Sequence, residues 1–408
     1  MTMHDAELLD QARGLSDRIV ALRRAIHAEP ELGLETPRTR DKVRAALANL
    51  PLTWREGSST TGAVATLTGL GSAAPGQPLR KVLLRGDMDA LAMAEETGLD
   101  FASTIPGTMH SCGHDTHTAM LAGAAELLAA RRDRFAGEVQ FMFQPGEEGF
   151  HGARFMLDDG LIDPETGAAF ALHIMPNQPH GLVAGRAGAL LASADKFQIT
   201  VTGRGGHAAM PYSANDPVPV AAEIVLAIQT AVTRRFPMGD PVVISVTQID
   251  AGTAHNIIPE VVTLQGTIRT LSPGNRAGAA ATIERIAANV AAAHEMTAAT
   301  VVTRGFPVTL CDPRAVAMGE AVTRELRGPA AFHRMDVPLM GAEDFSYVLE
   351  RFPGAMFFLG VAHEGADWAS RPAIHSPHMM VDETALPLGT ALLAGCALTF
   401  LAEGFAKE

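Results

Sequence analysis

Apolar runs of strand length alternate with helical patterns along most of the chain. The runs cover residues 82–84, 139–143, 168–172 and 356–359, and a helical pattern covers residues 117–131 between the first two runs. Nearly continuous apolar strands separated by helices are typical of a parallel sheet that helices cover. We therefore predict an α/β domain built on a mostly parallel sheet.

The pattern changes between residues 187 and 310. Strand, helix, strand, strand, helix and strand are predicted there over residues 196–202, 219–232, 242–250, 261–269, 278–294 and 300–303. This β-α-β-β-α-β order is that of a ferredoxin-like sandwich, which is a complete α+β domain. We predict that residues 187–310 form an inserted domain, and that residues 1–186 and 311–408 together form the first domain.

Size and charge support two domains and narrow the choice of partner. The chain has 408 residues, which exceeds the roughly 250–300 residues that a single core usually organises. Hydrophobic residues make up 47% and charged residues 19%, so the chain has enough apolar material to fold. The net charge of −13 repels nucleic-acid backbones and anionic membranes. We expect a small-molecule substrate, with no nucleic-acid and no membrane partner.

Cysteine usage and the chain's first residues indicate a cytoplasmic protein. Cys112, Cys311 and Cys396 are an odd, scattered set, which is unlike a disulfide framework. The acidic first ten residues lack the regions of a signal peptide. Residues 385–402 are uncharged, but they contain glycines, threonines and a proline and have no flanking Lys or Arg. We predict that this segment is a buried core helix rather than a membrane span.

Side chains that commonly bind metals follow several of the predicted strands. Ligands of open parallel sheets bind beyond the carboxyl ends of the strands, so these side chains are expected to meet. They are Asp87, Cys112, His114, Glu147, Glu148, His173 and His375. A structural zinc site would have four closed ligands in short paired spacings, whereas these residues are dispersed and include carboxylates. Their pattern therefore favours an open, catalytic metal site.

Two short motifs carry most of this prediction. Cys112 and His114 are separated by one glycine, so that thiolate and imidazole can face one ion, and the following helix N-terminus favours the ionised thiol. In the doublet Glu147-Glu148, one carboxylate can bind a metal while its neighbour takes a proton from the activated water. Such a mixture of nitrogen, sulfur and oxygen ligands accepts Zn, Mn, Co or Ni.

Ten motifs, which together span nearly the whole chain, carry a resemblance to a known family. In order they are RRAIHAEPELGLET, LLRGDMDAL, MHSCGHDTH, QPGEEG, ALH, GRGGHAAMP, AGTAHNIIP, GTIRT, GAEDFS and IHSP. They resemble the hippurate hydrolase branch of the N-acyl-amino-acid amidohydrolases, within the aminoacylase and dipeptidase family of metallopeptidases. The resemblance implies a zinc-exopeptidase-like catalytic domain with two divalent metal ions per subunit. It also implies a smaller inserted lid domain that commonly dimerises, so we expect a homodimer or higher homo-oligomer.

The resemblance assigns roles to the residues of the first domain. The metal ligands that it implies are Cys112, His114, Glu148, His173 and His375. Glu147 would be the general base. Asp87 would hold a ligand imidazole in its tautomer, as carboxylates beside metal ligands usually do; the alternative for Asp87 is a surface salt bridge.

The resemblance also implies substrate contacts from the inserted domain. His207 would donate to the oxyanion with help from Asn256, and Arg269 would bind the substrate carboxylate through two parallel hydrogen bonds. The alternatives are a packed turn histidine for His207 and an interstrand ion pair for Arg269. Glu343 and Asp344 are expected near the acyl side of the site.

This chain departs from the family pattern at two places. The usual PAEEG is PGEEG here, with Gly146 in place of Ala, and Phe150 and His151 stand where glycines are common. Neither change removes a proposed ligand. Phe150 and His151 are positioned to reshape the acyl pocket, so the acyl group is left open.

Two other functions compete with a metal-dependent amidohydrolase. Gly203, Gly205 and Ala208 match a dinucleotide-binding pattern with Glu223 downstream, but the prolines that follow prevent the helix that such a site requires. A metal-binding scaffold without turnover would not need Glu147 beside Glu148. We therefore predict hydrolysis of N-acylated amino acids, with an aromatic acyl group first and N-acetyl-type or dipeptide substrates as the alternative.

Overall fold

The structure is a computed structural model that describes residues 6–73 and 79–406. The prediction that the first ten residues are not a signal peptide rests partly on residues 1–5, which lie outside the described residues. The described α-helices are α1 (Ala6–Gly14), α2 (Ser16–His27), α3 (Pro37–Ala46), α4 (His114–Ala129), α5 (Gly152–Asp158), α6 (Pro217–Arg235), α7 (Pro273–Ala293), α8 (Pro313–Arg327), α9 (Ser346–Arg351) and α10 (Leu386–Glu403).

The described strands are β1 (Thr53–Glu56), β2 (Ala63–Thr68), β3 (Lys81–Asp87), β4 (Glu138–Gln144), β5 (Ala168–Met175), β6 (Val183–Gly185), β7 (Gly188–Leu191), β8 (Ala194–Thr202), β9 (Gly206–His207), β10 (Val242–Ala251), β11 (Ile257–Ile258), β12 (Val261–Thr270), β13 (Thr297–Phe306), β14 (Thr309–Cys311), β15 (Phe332–Arg334) and β16 (Gly354–Gly360). Helices and strands form two compact units. Unit 1 comprises Met1–Leu190, Leu310–Val337 and Asp344–Glu408, and unit 2 comprises Leu191–Thr309 and Pro338–Glu343.

Unit 1 contains an eight-stranded sheet in the order β1-β2-β4-β3-β5-β16-β6-β15. Its four central strands, β4, β3, β5 and β16, run parallel to one another, as the sequence predicts. The sheet as a whole is mixed rather than mostly parallel, because β1 and β2 pair antiparallel at one edge and β6 runs antiparallel to β16. A short connection of residues 57–62 joins β1 to β2, and only antiparallel neighbours can be joined so directly.

The core of unit 1 forms where α4 and α10 pack on each other and on β3. A Cβ atom at Gly389 of α10 would lie 2.2 Å from the sulfur of Met120 of α4, so glycine permits this close approach. The segment Glu383–Glu403 is long and apolar enough to cross a membrane, but 83% of its most apolar 18-residue window is buried in the protein. This burial confirms the predicted core helix.

Unit 2 contains a four-stranded antiparallel sheet in the order β10-β12-β8-β13, with α6 and α7 packed on it. Alternate side chains of β8, Phe197, Ile199 and Val201, point into a core that Ile228 of α6 and Ile283 of α7 complete. The order of elements and the strand order are those of a ferredoxin-like sandwich. Its α6 begins only at Pro217, well after the glycine-rich segment, so that segment does not open a helix as a dinucleotide site requires.

Residues 338–343 belong to unit 2, so the prediction that they form part of the first domain is wrong. The backbone N–H of Ala192 lies 3.2 Å from the carbonyl of Leu339 and 2.9 Å from that of Gly341, and it donates to both. These are contacts between segments far apart in sequence. The local sequence of residues 338–343 does not predict these hydrogen bonds.

Candidate metal centre

Three neighbouring parallel strands carry the predicted ligands to one edge of the unit 1 sheet. Strands β4, β3 and β5 lie side by side, so their carboxyl ends meet. Asp87 ends β3, the doublet Glu147-Glu148 follows β4, and His173 lies near the end of β5. Cys112 lies two residues before the start of α4. The rule that parallel sheets bind ligands beyond their strand ends therefore holds here.

All five predicted ligands lie in one cluster. Cys112 Sγ is 3.3 Å from His173 Nε2 and 3.3 Å from His375 Nε2. His375 Nε2 is 3.2 Å from Glu148 Oε1, which in turn is 4.0 Å from His114 Nε2. Two close groups of ligand atoms consist of predicted ligands alone, and they share Cys112: Cys112 with His114 and His173, and Cys112 with Glu148 and His375. Overlapping groups of this kind can accommodate more than one ion.

The tautomers of two ligand imidazoles follow from their hydrogen bonds. His114 Nδ1 lies 2.9 Å from the carbonyl oxygen of Asp89, and His173 Nδ1 lies 2.7 Å from that of Ile174. A carbonyl can only accept, so both Nδ1 atoms donate, and in the neutral rings Nε2 carries the lone pair. His114 Nε2 is buried and has no hydrogen-bond partner among the described residues. A buried, unpartnered imidazole lone pair fits a metal ion.

The electrostatics of the cluster favour a cation. Burial opposes a charge on His114, but Asp87 Oδ2, 3.7 Å from Nε2, raises the pKa of His114 well above its usual value. Hydrogen bonds with Cys112, which has the larger effect, and with Glu148 raise the pKa of His375 to about 10. Burial lowers the pKa of His173 to about 3, which keeps this imidazole neutral. The carboxylates thus stabilise positive charge at the cluster. A divalent ion can supply this charge in place of protons.

Asp89 organises the site, although its position in the sequence predicts no role for it. Its buried carboxylate accepts the backbone N–H of Glu147 at 3.0 Å and that of Glu148 at 3.1 Å. Its carbonyl fixes the tautomer of His114. One residue therefore positions the doublet and a ligand imidazole together. The acid two positions after Asp87 was the only signal in the sequence, since backbone hydrogen bonds leave no residue pattern.

Asp87 forms its hydrogen bond with an imidazole that is not among the predicted metal ligands. Its Oδ1 is 2.6 Å from His117 Nδ1, and its other oxygen accepts from Arg85. His117 Nε2 accepts the backbone N–H of Ile174 at 2.9 Å, so both ring nitrogens of His117 are already engaged. The expectation that Asp87 orients a ligand imidazole is corrected: it holds His117, which in turn holds the strand end beside His173. Asp87 is fully buried, so it forms no surface salt bridge.

His375 is held in a left-handed backbone conformation. Its φ is 65°, which is uncommon for a residue other than glycine and is found where the surroundings enforce it. Its backbone N–H donates to the carbonyl of Ser111 at 2.8 Å, which ties the C-terminal loop to the segment that carries Cys112. A ligand distant in sequence is thereby brought into the cluster.

Glu147 lies beside the cluster and is 6% exposed. Its carboxylate forms a close group with His114 and Glu148, and its Oε1 accepts the backbone N–H of Asp344 at 3.4 Å. Asp344 itself accepts hydrogen bonds from Arg85, Gln144 and the backbone of Ala153. Asp344 is therefore a buried acceptor of several hydrogen bonds, and Glu343 belongs to unit 2. The expected position of both residues near the acyl side stays a prediction.

The three predicted substrate residues lie in unit 2. His207 of β9 pairs with Ile257 of β11, and the neighbouring Ala208 donates its N–H to the carbonyl of Asn256 at 3.1 Å. His207 Nδ1 accepts from the backbone of Ala209, so in the neutral ring Nε2 carries the proton and can donate. Both His207 and Asn256 are exposed. The structure thus brings these two residues together at a two-stranded antiparallel sheet of β9 and β11.

Arg269 lies on β12, opposite Val243 of β10. Burial lowers the pKa of its guanidinium, and within residues 6–73 and 79–406 that group has no hydrogen bond or ion pair. The alternative of an interstrand ion pair is therefore wrong. An unpaired, partly buried guanidinium is available to bind an anionic group.

Comparisons with known proteins identify relatives of this chain. Over 395 residues the chain is 36% identical to IAA-amino acid hydrolase ILR1-like 2 of Arabidopsis thaliana, covering 96% of this chain and 87% of that protein. It is 34% identical to N-acetylcysteine deacetylase of Bacillus subtilis, covering 94% and 97%.

Its fold is similar to the crystal structure of the Bacillus subtilis YXEP protein, described as a dinuclear metal binding peptidase from the M20 family. That structure has a TM-score of 0.83 and 29% identity, and the match covers 96% of this chain and 99% of that one. The sequence profile of peptidase family M20/M25/M40 matches residues 83–399. The chain belongs to peptidase family M20/M25/M40.

Proposed function

We propose that this protein is a metal-dependent amidohydrolase that releases the amino acid from N-acylated amino acids. The observation that carries the proposal is the cluster of Cys112, His114, Glu148, His173 and His375, in which Cys112, His114 and His173 are buried, with a second carboxylate, Glu147, beside it. These five side chains would hold two divalent ions. The relatives named as hydrolases of an IAA-amino acid and of N-acetylcysteine support a substrate of this class.

The roles of the chain's own residues follow from where their atoms lie. When bound, the ions supply Lewis-acid activation of water and of the substrate carbonyl. Glu147 takes the proton of the attacking water and passes it to the leaving amine nitrogen. Asp89 holds the backbone of the doublet, so that Glu147 and Glu148 keep separate directions and separate tasks.

Arg269 is proposed to bind the α-carboxylate of the substrate, because its guanidinium lacks a partner among the described residues and can form two parallel hydrogen bonds. Arg269→Lys should raise KM for an N-acyl amino acid about tenfold and leave KM for the corresponding amide nearly unchanged, since lysine lacks the planar fork. Arg285→Lys, at an exposed position of α7, is the matched control. Equal changes in KM for both substrates would remove Arg269 from this role.

The experiment that tests the function is a hydrolysis screen with metal-stripped protein. Zn, Mn, Co and Ni would each be added back, and N-benzoylglycine, N-acetyl amino acids and dipeptides would be offered. We expect release of the free amino acid only after a metal is added, with N-acyl amino acids preferred to dipeptides. If the reloaded protein binds metal but hydrolyses no N-acyl amino acid, the proposal is wrong.

A further inference from the structure

An apolar side chain is left exposed immediately after the catalytic doublet. Phe150 is 49% exposed, and it is the one phenylalanine among the described residues with so large an exposed fraction. Leu32, also in unit 1, is 43% exposed. Apolar side chains that are exposed close together can mark a ligand-binding surface. Neither side chain has a part in the chemistry assigned to the metal centre.

Both side chains lie on segments attached to the doublet. Phe150 is two residues beyond Glu148, on the loop between β4 and α5. Leu32 forms a backbone bridge with Ala90, the residue after Asp89, which holds the doublet. Phe150 and Leu32 therefore lie on two segments that are both connected to the one that carries Glu147.

The ring of Phe150 rests on the neighbouring segment of Leu32. A Cβ atom at Gly33 would lie 3.2 Å from Phe150 Cε1, and Gly33 has a φ of 63°. A Cβ atom at Gly146 would lie 2.6 Å from Leu34 Cδ2 and 3.1 Å from Phe150 Cβ. The alanine that the family commonly has at position 146 would require the Leu34 side chain to move, and the φ of 69° at Gly146 also disfavours it. The Gly146 and Phe150 departures are thus linked by packing.

The loop that carries Phe150 is fixed at both ends. Gly152 donates its N–H to the carbonyl of Gly146 at 3.0 Å, which closes the loop. His151 has a φ of 62°, and its Nδ1 lies 2.9 Å from the hydroxyl of Tyr347 on α9. A closed and anchored loop presents the ring in one place. A ring that is already held in place can contribute to specificity, because binding then costs little conformational entropy of the loop.

We propose that Phe150 and Leu32 form an apolar shelf that contacts the acyl group of the substrate and gives preference to aromatic acyl groups. The inference rests on the proposed amidohydrolase function. The shelf contacts Gly33, Leu34 and Gly146, which carry no charge, and the carboxylates of Glu147 and Glu148 follow directly. An anionic α-carboxylate is disfavoured there, whereas a neutral acyl group fits. An aromatic acyl ring can stack on Phe150, which an acetyl group cannot do.

The test compares N-benzoylglycine with N-acetylglycine, each assayed with the reloaded wild-type protein and with Phe150→Ala, Phe150→Leu and Leu32→Ala. Phe150→Ala should lower kcat/KM for the benzoyl substrate about fivefold or more and change it less than about twofold for the acetyl substrate. Phe150→Leu and Leu32→Ala should give smaller losses of the same kind. Leu70→Ala is the control, because Leu70 is 64% exposed and lies beside the start of β4, at the opposite edge of the sheet.

Two outcomes contradict the proposal in different ways. If the wild type hydrolyses both substrates and Phe150→Ala leaves the ratio of their kcat/KM values unchanged, the shelf is wrong and the amidohydrolase function stands. If the metal-loaded wild type hydrolyses neither substrate, the proposed function fails, and the acyl assignment fails with it. Melting temperatures of the variants equal to that of the wild type would show that changed ratios reflect substrate contact.

Discussion

Each unit of the chain buries ionic groups, but the two clusters are organised differently. In unit 2 the buried Asp195 accepts Arg276 at 2.9 and 2.6 Å, Arg304 at 2.7 Å and the backbone N–H of Gly305 at 2.9 Å. Both of its oxygens are satisfied, and two guanidinium groups compensate its charge. This cluster is complete without any further ligand.

In the metal cluster of unit 1, by contrast, hydrogen bonds and ion pairs do not satisfy every buried polar atom. The imidazole Nε2 of His114 is buried without a hydrogen-bond partner among the described residues, while the thiol of Cys112 and the carboxylate of Glu148 lie close by. Groups that can donate a lone pair to a cation are concentrated in this cluster. Within the described residues, no Arg or Lys forms an ion pair with Glu148. A buried set of acceptors is costly unless a cation compensates it. The comparison separates a cluster that stabilises a fold from one that binds an ion.

The largest expected effect separates the two carboxylates of the doublet. Glu147→Gln should lower kcat by about 10²-fold or more, because glutamine cannot accept the proton of water, and it should leave the metal content unchanged. Glu148→Gln should instead lower metal occupancy. Steady-state kinetics and elemental analysis of both variants would check this. An equal loss of metal in the two variants would show that their roles are not divided.

The second effect concerns stability in unit 2. Asp195→Ala removes the partner of two guanidinium groups and should lower the free energy of unfolding by about 3 kcal/mol, since breaking a buried ion cluster leaves charges uncompensated. Metal content should not change. Urea unfolding would measure the loss, with Glu284→Ala at an exposed position of α7 as control. A metal loss in Asp195→Ala would erase the distinction between the clusters.

The smallest effect is the pH dependence of the Asp195 cluster. Burial would raise the pKa of Asp195, but hydrogen bonds from Arg276 and the backbone of Gly305 outweigh burial and lower it below its usual value. A lowered folded-state pKa stabilises the protein above the unfolded-state pKa of about 3.9, and this stability is lost as pH falls below that value. Wild-type stability should therefore fall more steeply with acid than that of Asp195→Asn. Parallel curves for the two proteins would contradict the assignment.

The sequence was most informative where one simple rule decides position. Strand ends of a parallel sheet meet, so the positions of Glu148 and His173 after two apolar runs were enough to predict that they lie together. The motif resemblance added His375 to the predicted ligands. No periodicity in the sequence indicates its left-handed backbone conformation or brings it close to ligands so distant in sequence. The ferredoxin-like order of unit 2 followed from alternating apolar patterns alone.

Other features depend on backbone contacts that side-chain patterns do not record. Asp89 acts through the N–H groups of the doublet and through its own carbonyl. Asp87 was assigned to a ligand imidazole, although His117, three residues beyond His114 on α4, takes that place. Residues 338–343 join unit 2 through carbonyl groups. In each case the deciding atoms belong to the main chain or to a competing neighbour.

The central claim is that the cluster around Cys112 is incomplete without metal, and metal stoichiometry tests it most directly. Purified protein, stripped and then reloaded with one metal at a time, would be examined by elemental analysis beside His114→Ala and Asp195→Ala. We predict two divalent ions per chain in the wild type and in Asp195→Ala, and fewer in His114→Ala. A folded wild-type protein that binds no divalent metal, or that hydrolyses N-acyl amino acids at its full rate when metal-free, would contradict the account.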